Sequence, residues 1–318
     1  MAILSFDLGG TKLAIAIFDA HGNCLLKQQQ PLAGSRGISV SQLMADHIRQ
    51  FLATDRFVID VIGVAVPGMY DAKSGTVWAP NIDGWTAYPL MAELQLVAGH
   101  IPIVIDNDRA CCILGETWKG SATGCKDAIF LTIGTGIGAG IMVDGHVLRG
   151  VNQTAGAIGW MALNDKFEDL YERYGCFEAY GSGDGMARLV QKRIAEQPGY
   201  NGILDKSEVL TASDVFAAAL KEDALAIQVV AICIGLWGRA AANLVSLLNP
   251  DQIIFGGGVF GPGVDYIPAI KKEADRWAQP LGTAHVQFKA SALAGDACLY
   301  GAARSAALFY QQNNHDYA

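Results

Sequence analysis

A strand-turn-strand pattern occurs twice in this chain, and that repetition constrains its fold more than any other feature. The first copy, 5-SFDLGGTKLAIAIFDAHG-22, places a Gly-rich turn between two apolar runs. The second copy, 128-AIFLTIGTGIGAGIMVDGH-146, has the same features in the same order. The runs are rich in branched and aromatic residues, as β-strands are. The sequence therefore predicts two β-hairpins of one design.

The two copies stay in register along their whole length. If Asp7 is aligned with Thr132, Gly9 falls on Gly134 and no gap is needed. Unrelated strand-turn-strand units also look alike, so a chance similarity stays open. We favour an internal duplication, in which each of two lobes opens with a hairpin that faces a phosphate group.

Beyond the hairpins, the pattern indicates strands that alternate with helices, which is typical of α/β proteins. In the first half, a strand is predicted at 101–105 and a helix at 109–118, so residues 106–108 lie at a strand-to-helix junction. In the second half, residues 224–248 are predicted to form a long apolar helix, and 252–263 a buried strand that runs into glycines. A strand that ends in glycines lets the backbone approach a ligand closely.

The first turn carries more polar chemistry than a hairpin requires. Asp7 is a carboxylate inside an apolar strand, where an unpaired charge is costly. Thr11 and Lys12 place a hydroxyl and a cation beside the bare backbone of the glycines. This arrangement fits a phosphate-binding turn, although it lacks the Walker spacing. A plain hairpin is the alternative.

Composition limits the class of protein. The chain has 318 residues, 51% of them hydrophobic, which is enough for about two domains. Its net charge of −8 argues against nucleic acid as a partner. The apolar runs 130–143 and 225–238 are shorter than the roughly 18–20 residues of a membrane span, and no signal peptide is expected. Seven cysteines without framework spacing predict reduced thiols and a cytoplasmic location, with Cys111 and Cys112 in helix-packing positions.

An ordered set of short motifs resembles the ROK family of sugar kinases, within the actin-like ATPase superfamily. Each motif alone is weak, but the ordered set is specific and covers nearly the whole chain. The motifs are DLGGTK (7–12), AVPG (65–68), PNIDGW (80–85), DNDRACCILGE (106–116), LTIGTGIGAGI (131–141), GCFEAYGSG (175–183), NPDQIIFGGGV (249–259) and LAGDACLYGAA (293–303).

The resemblance implies a fold, a location and a partner. The expected fold is α/β, a two-lobed actin-like ATPase (ribonuclease H-like) architecture with duplicated phosphate hairpins. Its N-terminal lobe would comprise residues 1–108, completed by a C-terminal helix at 298–318, and its C-terminal lobe residues 109–297. The resemblance also implies a cytoplasmic homodimer that binds a small sugar and neither nucleic acid nor a membrane.

The resemblance further implies that ATP and Mg²⁺ bind between the two lobes. Backbone N–H groups and hydroxyls of both turns would hold the phosphates, and Asp7 would lie near Mg²⁺ directly or through water. A third group of glycines would lie against the adenosine. The implied ATP-binding residues are Asp7, Gly9, Gly10, Thr11, Lys12, Gly134, Thr135, Gly136, Gly256, Gly257 and Gly258.

Asp108 matches the general base of the family, which accepts a proton from the attacking sugar hydroxyl, and the expected acceptor in this chain is the primary 6-hydroxyl. The alternative is a helix N-cap, for which Asp is a favoured residue. The base is preferred, because Asn107 beside it and Asn81 in a second loop match sugar ligands. Gly68 and Glu178 also match the family's sugar-binding positions.

Two segments depart from the family pattern. Where family members have G-E-x-G-H, this chain has 156-GAIGW-160, so Ala157 replaces the sugar-binding Glu and Trp160 the His. Where they have a Cys-rich segment that binds structural zinc, this chain has 169-DLYERYGC-176, with Cys176 the one thiol left. One cysteine cannot form a tetrahedral zinc site. We therefore expect no zinc, and a loop held by packing of Trp160, Tyr171, Tyr174 and Phe177.

Trp160 has two possible roles, a ring that contacts the sugar or a core aromatic that fills the space of the missing zinc. A sugar-contacting Trp160 would favour a less hydroxylated or bulkier sugar than glucose. Two other classes of function are weighed against a kinase. A transcriptional repressor is disfavoured, because the chain begins directly at its first strand. A sugar-binding or regulatory protein that has lost efficient catalysis is opposed by the retained Asp108 and phosphate turns.

Overall fold

The computed structural model describes residues 1–54, 56–197, 199–206 and 210–315. The chain divides into two compact units. The first comprises residues 1–124, 147–155 and the segment from Asp296 onward, and the second comprises residues 125–146 and 156–295. Each unit has its own sheet and its own hydrophobic core.

The first unit begins with a five-stranded sheet in the order β3-β2-β1-β4-β7. The three antiparallel strands β1 to β3 are followed in the sheet by β4 and β7, which run parallel to β1. A separate hairpin pairs β5 with β6. The bounds are β1 (Ala2–Leu8), β2 (Lys12–Asp19), β3 (Cys24–Pro31), α1 (Ile38–Leu52), β4 (Ile59–Val66), β5 (Met69–Asp71), β6 (Thr76–Trp78), α2 (Leu90–Ala98), β7 (Ile103–Asn107) and α3 (Asp108–Lys119).

The second unit repeats this topology, with the sheet order β10-β9-β8-β11-β12. Here β8 and β9 form the antiparallel hairpin, and β11 and β12 run parallel to β8. The bounds are β8 (Ala128–Ile133), β9 (Ile137–Val143), β10 (His146–Val147), α4 (Tyr171–Tyr174), α5 (Glu178–Gly181), α6 (Gly183–Glu196), α7 (Ala212–Leu220), α8 (Ala224–Leu248), β11 (Gln252–Gly256), α9 (Ile267–Ala274), α10 (Pro280–His285) and β12 (Gln287–Ala290). The predicted α/β class and the two hairpins of one design are confirmed.

Helix α8 corrects one expectation about apolar runs. It is 25 residues long, and within it an 18-residue window reaches a mean hydropathy of 1.7, so by length and composition alone it could cross a membrane. The apolar run at 225–238 alone is too short to cross a membrane, but the helix continues through further apolar residues to Leu248. Side chains such as Val229, Trp237 and Val245 are buried in the core of the second unit. Core packing therefore accounts for its apolar character.

Helix α11 (Ala297–His315) is the last element of the described residues, and it packs in the first unit on α3 and on β1. The two helices can approach closely because Gly115 and Gly301 have no side chains. A Cβ atom at either position would overlap the backbone of the other helix. The division into units thus keeps α3 with the first unit, whereas the sequence-based boundary followed residue 108. The reason is that α3 buries its inner face against α11 as well as against the sheet.

The expectation of reduced thiols is wrong for one pair of cysteines. Cys112 on α3 and Cys298 on α11 form a disulfide, with a Cα–Cα distance of 4.3 Å. Their separation of 186 residues hides the pair from any analysis of spacing. The neighbouring Cys111 is fully buried against Ala65 and Ala302, as expected of a helix-packing position.

Candidate active site

At the junction between β7 and α3, Asn107 and Asp108 make different hydrogen bonds. Asn107 has an extended backbone and is the N-cap of α3, since its Oδ1 accepts a hydrogen bond from the Ala110 N–H at 2.8 Å. Asp108 is the first helical residue, and its Oδ1 accepts from the N–H of Arg109 at 2.8 Å. The cap role that could have explained Asp108 therefore belongs to Asn107. The Nδ2 donor of Asn107 is not part of this cap bond.

The charge of Asp108 acts on a second carboxylate of the first unit, that of Asp7. Burial and the charge of Asp108 raise the pKa of Asp7 to about 7, Asp296 acts in the same direction, and Lys12 opposes it. Burial also raises the pKa of Asp108. Two carboxylates that raise each other's energy in this way favour a bound cation, and carboxylate oxygens are ligands that Mg²⁺ prefers. The chemistry of Asp7 and Asp108 thus fits a divalent cation.

The turn between β1 and β2 is open to solvent. The Gly9 N–H donates to the Lys12 carbonyl at 3.0 Å, so this donor closes the turn instead of pointing outward. A Cβ at Gly10 would meet no atom within 4 Å, and Gly10, Thr11 and Lys12 are all exposed. The N–H of Gly10, the hydroxyl of Thr11 and the Lys12 ammonium are therefore the groups placed to meet an anion.

Gly68 and Asn81 lie in the first unit near the same end of the sheet as Asn107. The pairing of β4 with β7 places Val66 opposite Asn107, so Gly68 follows within two residues. Gly68 has φ of 118°, and a Cβ there would overlap the Trp78 carbonyl oxygen, so only glycine fits. Asn81 is exposed in the turn that follows β6, where the Ile82 N–H donates to the Ala79 carbonyl at 3.0 Å.

Arg149 completes the polar surroundings of this junction. Its guanidinium forms an ion pair with the buried carboxylate of Asp106, which also accepts from the Asn107 N–H at 2.9 Å. The pair fastens the segment 147–155 to the end of β7. Sequence reasoning missed it, because Arg149 lies outside the motifs that carried the resemblance.

In the second unit, the turn between β8 and β9 is packed against other glycines. The Gly134 N–H donates to the Gly136 carbonyl at 3.0 Å, so it also closes its own turn. The Gly134 carbonyl accepts from the N–H of Gly183, the first residue of α6, at 2.7 Å. A Cβ on Gly134 would lie 3.7 Å from the Gly258 N. The two Gly-rich segments of this unit are thus adjacent.

The three glycines after β11 differ in what they do. A Cβ on Gly256 would overlap the Phe130 ring, so its absence allows close packing of β11 on β8. Gly257 has φ of 86°, which turns the chain away from the strand. A Cβ on Gly258 would meet no atom within 4 Å, which leaves open space beside its backbone. Gly258 is therefore the one of the three that leaves room for a ligand.

Glu178, the first residue of α5, is hydrogen-bonded to the residue that follows the turn 134–136 of its own unit. Its Oε2 accepts from the Ile137 N–H at 2.7 Å, and Cβ atoms at Gly136 and Gly159 would each lie 3.0 Å from that oxygen. Burial raises the pKa of Glu178, while the Ile137 N–H acts in the opposite direction. A carboxylate is thus held beside the turn that contains Thr135.

Trp160 does not take the core position that the sequence allowed. It ends a short 3-10 helix, Ile158–Trp160, and 58% of its side chain is exposed. Tyr171 and Phe177 are buried as expected, while Tyr174 is partly buried beneath the Arg188 guanidinium. The expected packing is therefore wrong for Trp160, because the polypeptide after Ile158 turns it outward.

The loop around Trp160 is instead held by hydrogen bonds. Glu168 accepts from the hydroxyls of Tyr171 and Tyr180 and from the Lys192 ammonium. The Cys176 Sγ lies 3.3 Å from the Leu163 N–H, which donates to it. Within residues 1–54, 56–197, 199–206 and 210–315, no group of three or more His, Cys, Asp or Glu side chains could hold a metal. That the chain carries no zinc remains a prediction.

The first unit thus brings together Asp7, the turn 9–12, Gly68, Asn107 and Asp108. The second brings together the turn 134–136, Gly258 and Glu178, while Trp160 is displaced toward solvent. The sequence analysis did not propose three residues that interact with these groups: Arg149, Asp296 and Gly183. The last two lay within quoted motifs, in LAGDACLYGAA and GCFEAYGSG, and could have been proposed from them.

Comparison with known proteins gives a consistent result. The model of the ROK family matches residues 3–309. A glucokinase of Halalkalibacterium halodurans is 34% identical over 304 residues, which cover 93% of this chain and 92% of the relative. A β-glucoside kinase of Listeria monocytogenes is 33% identical over 270 residues, or 81% and 83% of the two chains. The crystal structure of a ROK family glucokinase from Streptomyces griseus, in complex with glucose and AMPPNP, is similar with a TM-score of 0.76 at 28% identity, covering 96% and 99%.

Proposed function

The chain belongs to the ROK family and is an ATP-dependent sugar kinase, and we propose that Asp108 is the general base of its reaction. In this proposal the γ-phosphate of ATP passes to the primary 6-hydroxyl of a hexose or hexose derivative. The observation that carries the assignment is the cap geometry of α3. Because Asn107 caps the helix, the partly buried Asp108 carboxylate is left for another role.

The base would work by accepting the proton of the attacking hydroxyl as the bond to phosphorus forms. Burial favours the neutral form of Asp108, which makes its carboxylate a stronger base than an exposed one. Asn107, Asn81 and Gly68 would orient the sugar from the same end of the sheet, and Glu178 would accept hydrogen bonds from further hydroxyls. Phosphoryl transfer needs such positioning more than covalent chemistry from the protein.

The phosphates would meet donors in each unit's turn. Gly10, Thr11 and Lys12 are exposed in the first turn, and Thr135 and Gly136 lie in the second. Gly258 would leave room for the nucleotide, while Gly9, Gly134, Gly256 and Gly257 would shape the backbone around it. Mg²⁺, held near Asp7, would neutralise negative charge on the phosphates when bound.

A coupled assay of ADP release across a panel of hexoses, with ATP and Mg²⁺, tests the proposal. We expect turnover with at least one hexose. Asp108→Asn should keep ATP binding by calorimetry and lose on the order of 10² or more in kcat, as expected on removal of a general base. Asp46→Asn, exposed on α1, is the matched control. Full activity of Asp108→Asn would refute the assignment of the base.

We further propose that the enzyme is a cytoplasmic homodimer that requires Mg²⁺. Light scattering on the purified protein tests the dimer, and a monomer at assay concentration would exclude it. Chelation with EDTA tests the metal: activity should disappear and return when Mg²⁺ is added in excess. Fractionation of the source cells tests the location.

A further inference from the structure

A cavity of about 510 Å³ opens in the first unit beside the β5-β6 hairpin. We call it the hairpin cavity. Its walls come from the hairpin, including Met69 and Trp78, from Thr86, and from the loop 151–153. Its volume lies within the range of small-molecule sites. No residue proposed for ATP or for the acceptor hexose lines it.

The hairpin cavity begins where the proposed hexose contacts end. Met69 directly follows Gly68, whose close approach to the Trp78 carbonyl fixes the hairpin against the strand exit. On the other side, the loop 151–153 follows Arg149, whose ion pair with Asp106 ties it to the end of β7 beside Asn107. Two of its walls are therefore anchored next to residues that would hold the hexose.

The chemistry of the walls matches a neutral sugar ring better than other small molecules. Trp78 is 43% exposed, so an indole surface is available for the apolar face of a ring. Thr86, Asn152 and Gln153 supply hydroxyl and amide groups around it. Lys73 and Asp71 contribute one charge of each sign, so the lining has no excess charge for an anion. A purely apolar ligand would leave these polar groups desolvated.

We propose that the hairpin cavity binds the second ring of a disaccharide whose first ring is the phosphoryl acceptor. The inference rests on the proposed function, since it assumes that the hexose lies beside Gly68 and Asn107. The substrate would then be a disaccharide, a hexose joined by a glycosidic bond to a second sugar. The binding free energy of the second ring would help to orient the first ring for reaction. It would therefore raise kcat/KM for the disaccharide above that for the free hexose.

The test compares glucose with cellobiose, gentiobiose, maltose and sucrose, in turnover and in calorimetric binding. Wild type should have a higher kcat/KM for at least one disaccharide than for glucose. Trp78→Ala should lower that disaccharide-to-glucose ratio about tenfold and leave kcat/KM for glucose nearly unchanged. Asn152→Ala, on an exposed loop, is a second variant that does not depend on the hairpin's stability. Trp277→Ala, a 59% exposed Trp in the second unit, is the matched control.

The outcomes separate this inference from the proposed function. If glucose is phosphorylated but no disaccharide is bound or turned over, the subsite is overturned and the kinase assignment stands. If Trp78→Ala and Asn152→Ala lower glucose and disaccharide turnover equally, the subsite is also overturned. If no sugar is turned over, the kinase assignment fails, and binding decides the subsite: weaker disaccharide binding by Trp78→Ala supports it, and equal binding overturns it.

Discussion

The carboxylate of Glu178 accepts a hydrogen bond from the backbone N–H of Ile137 at 2.7 Å. The bond links a proposed sugar ligand to the turn 134–136, which is proposed to contact phosphate. Only one of the two carboxylate oxygens is used in this bond, which leaves the other to accept from a sugar hydroxyl. In the proposed function, a single side chain would thus bind the acceptor sugar and stabilise the turn 134–136 of its own unit.

Glu178→Gln should weaken sugar binding and change how stability depends on pH. Burial raises the folded pKa of Glu178 above 4.5, so its contribution to stability is fully present below that value and is lost as pH rises through the folded pKa. Gln stays neutral, so the Tm of the variant relative to wild type should increase from pH 4.5 to pH 8. Calorimetry should show sugar affinity about tenfold lower or worse.

Glu172→Gln, on the exposed side of α4, is the control for this prediction. Thermal melts of the three proteins at both pH values provide the measurement. A Tm difference between Glu178→Gln and wild type that is the same at pH 4.5 and pH 8 would contradict the burial argument. Unchanged sugar affinity would remove Glu178 from the sugar site.

Arg149→Gln should destabilise the first unit, because it leaves the buried Asp106 without its cation. Breaking a buried pair is strongly destabilising, but Arg149 is partly exposed, so we expect a loss of about 1–3 kcal/mol. Urea unfolding measures it. Asp106→Asn in the Arg149→Gln background should recover part of the loss, because it removes the orphaned charge. If the double variant is no more stable than Arg149→Gln, the unpaired charge of Asp106 is not the cause of the destabilisation.

The sequence was sufficient for features that depend on local pattern. The duplicated hairpins, the α/β class and the bounds of α8 all follow from apolar periodicity and glycine placement, which short segments display. The Asp106–Arg149 pair spans 43 residues and the Cys112–Cys298 disulfide spans 186, so both depend on the tertiary path of the chain. Which of Asn107 and Asp108 caps α3 was likewise decided by backbone angles, since both residue types are good N-caps.

The purified protein should contain no stoichiometric zinc. Trp160, Asp169 and Tyr171 stand at three of the four positions where the family pattern places zinc ligands. The remaining one, Cys176, already accepts a hydrogen bond from the Leu163 N–H. Elemental analysis after dialysis without chelator is the measurement. About one zinc per chain would show that ligands outside the family positions are used.

Ala157→Glu combined with Trp160→His should shift specificity toward ordinary hexoses, because it restores two polar groups that the family uses to hold the sugar. Both positions are exposed, so the polar groups can be introduced without burying a charge. The measurement is kcat/KM for glucose relative to the best substrate of the panel. The single variants serve as controls, with folding checked by thermal melts. Efficient wild-type phosphorylation of glucose would show that Ala157 and Trp160 matter less than argued.

The disulfide between Cys112 and Cys298 should be measurable as missing thiols. Thiol titration of the unfolded, unreduced protein should find five thiols, those of Cys24, Cys111, Cys125, Cys176 and Cys233, and reduction should raise the number to seven. The bond links α3 to α11 and so restrains the unfolded chain. Cys298→Ser should therefore lower the free energy of unfolding by about 2–4 kcal/mol in non-reducing buffer.

The same bond has a consequence for the proposed base, because the Cys298 Sγ lies 3.3 Å from the carbonyl oxygen of Asp108. Reduction loosens the link between α11 and the first turn of α3, so kcat should change on treatment of wild type with dithiothreitol and not in Cys298→Ser. Cys125→Ser, which removes a partly buried thiol of the second unit, should respond as wild type does. Seven thiols before reduction would exclude the bond in the purified protein. Identical kcat before and after a verified reduction would show that the base is positioned by helix packing alone.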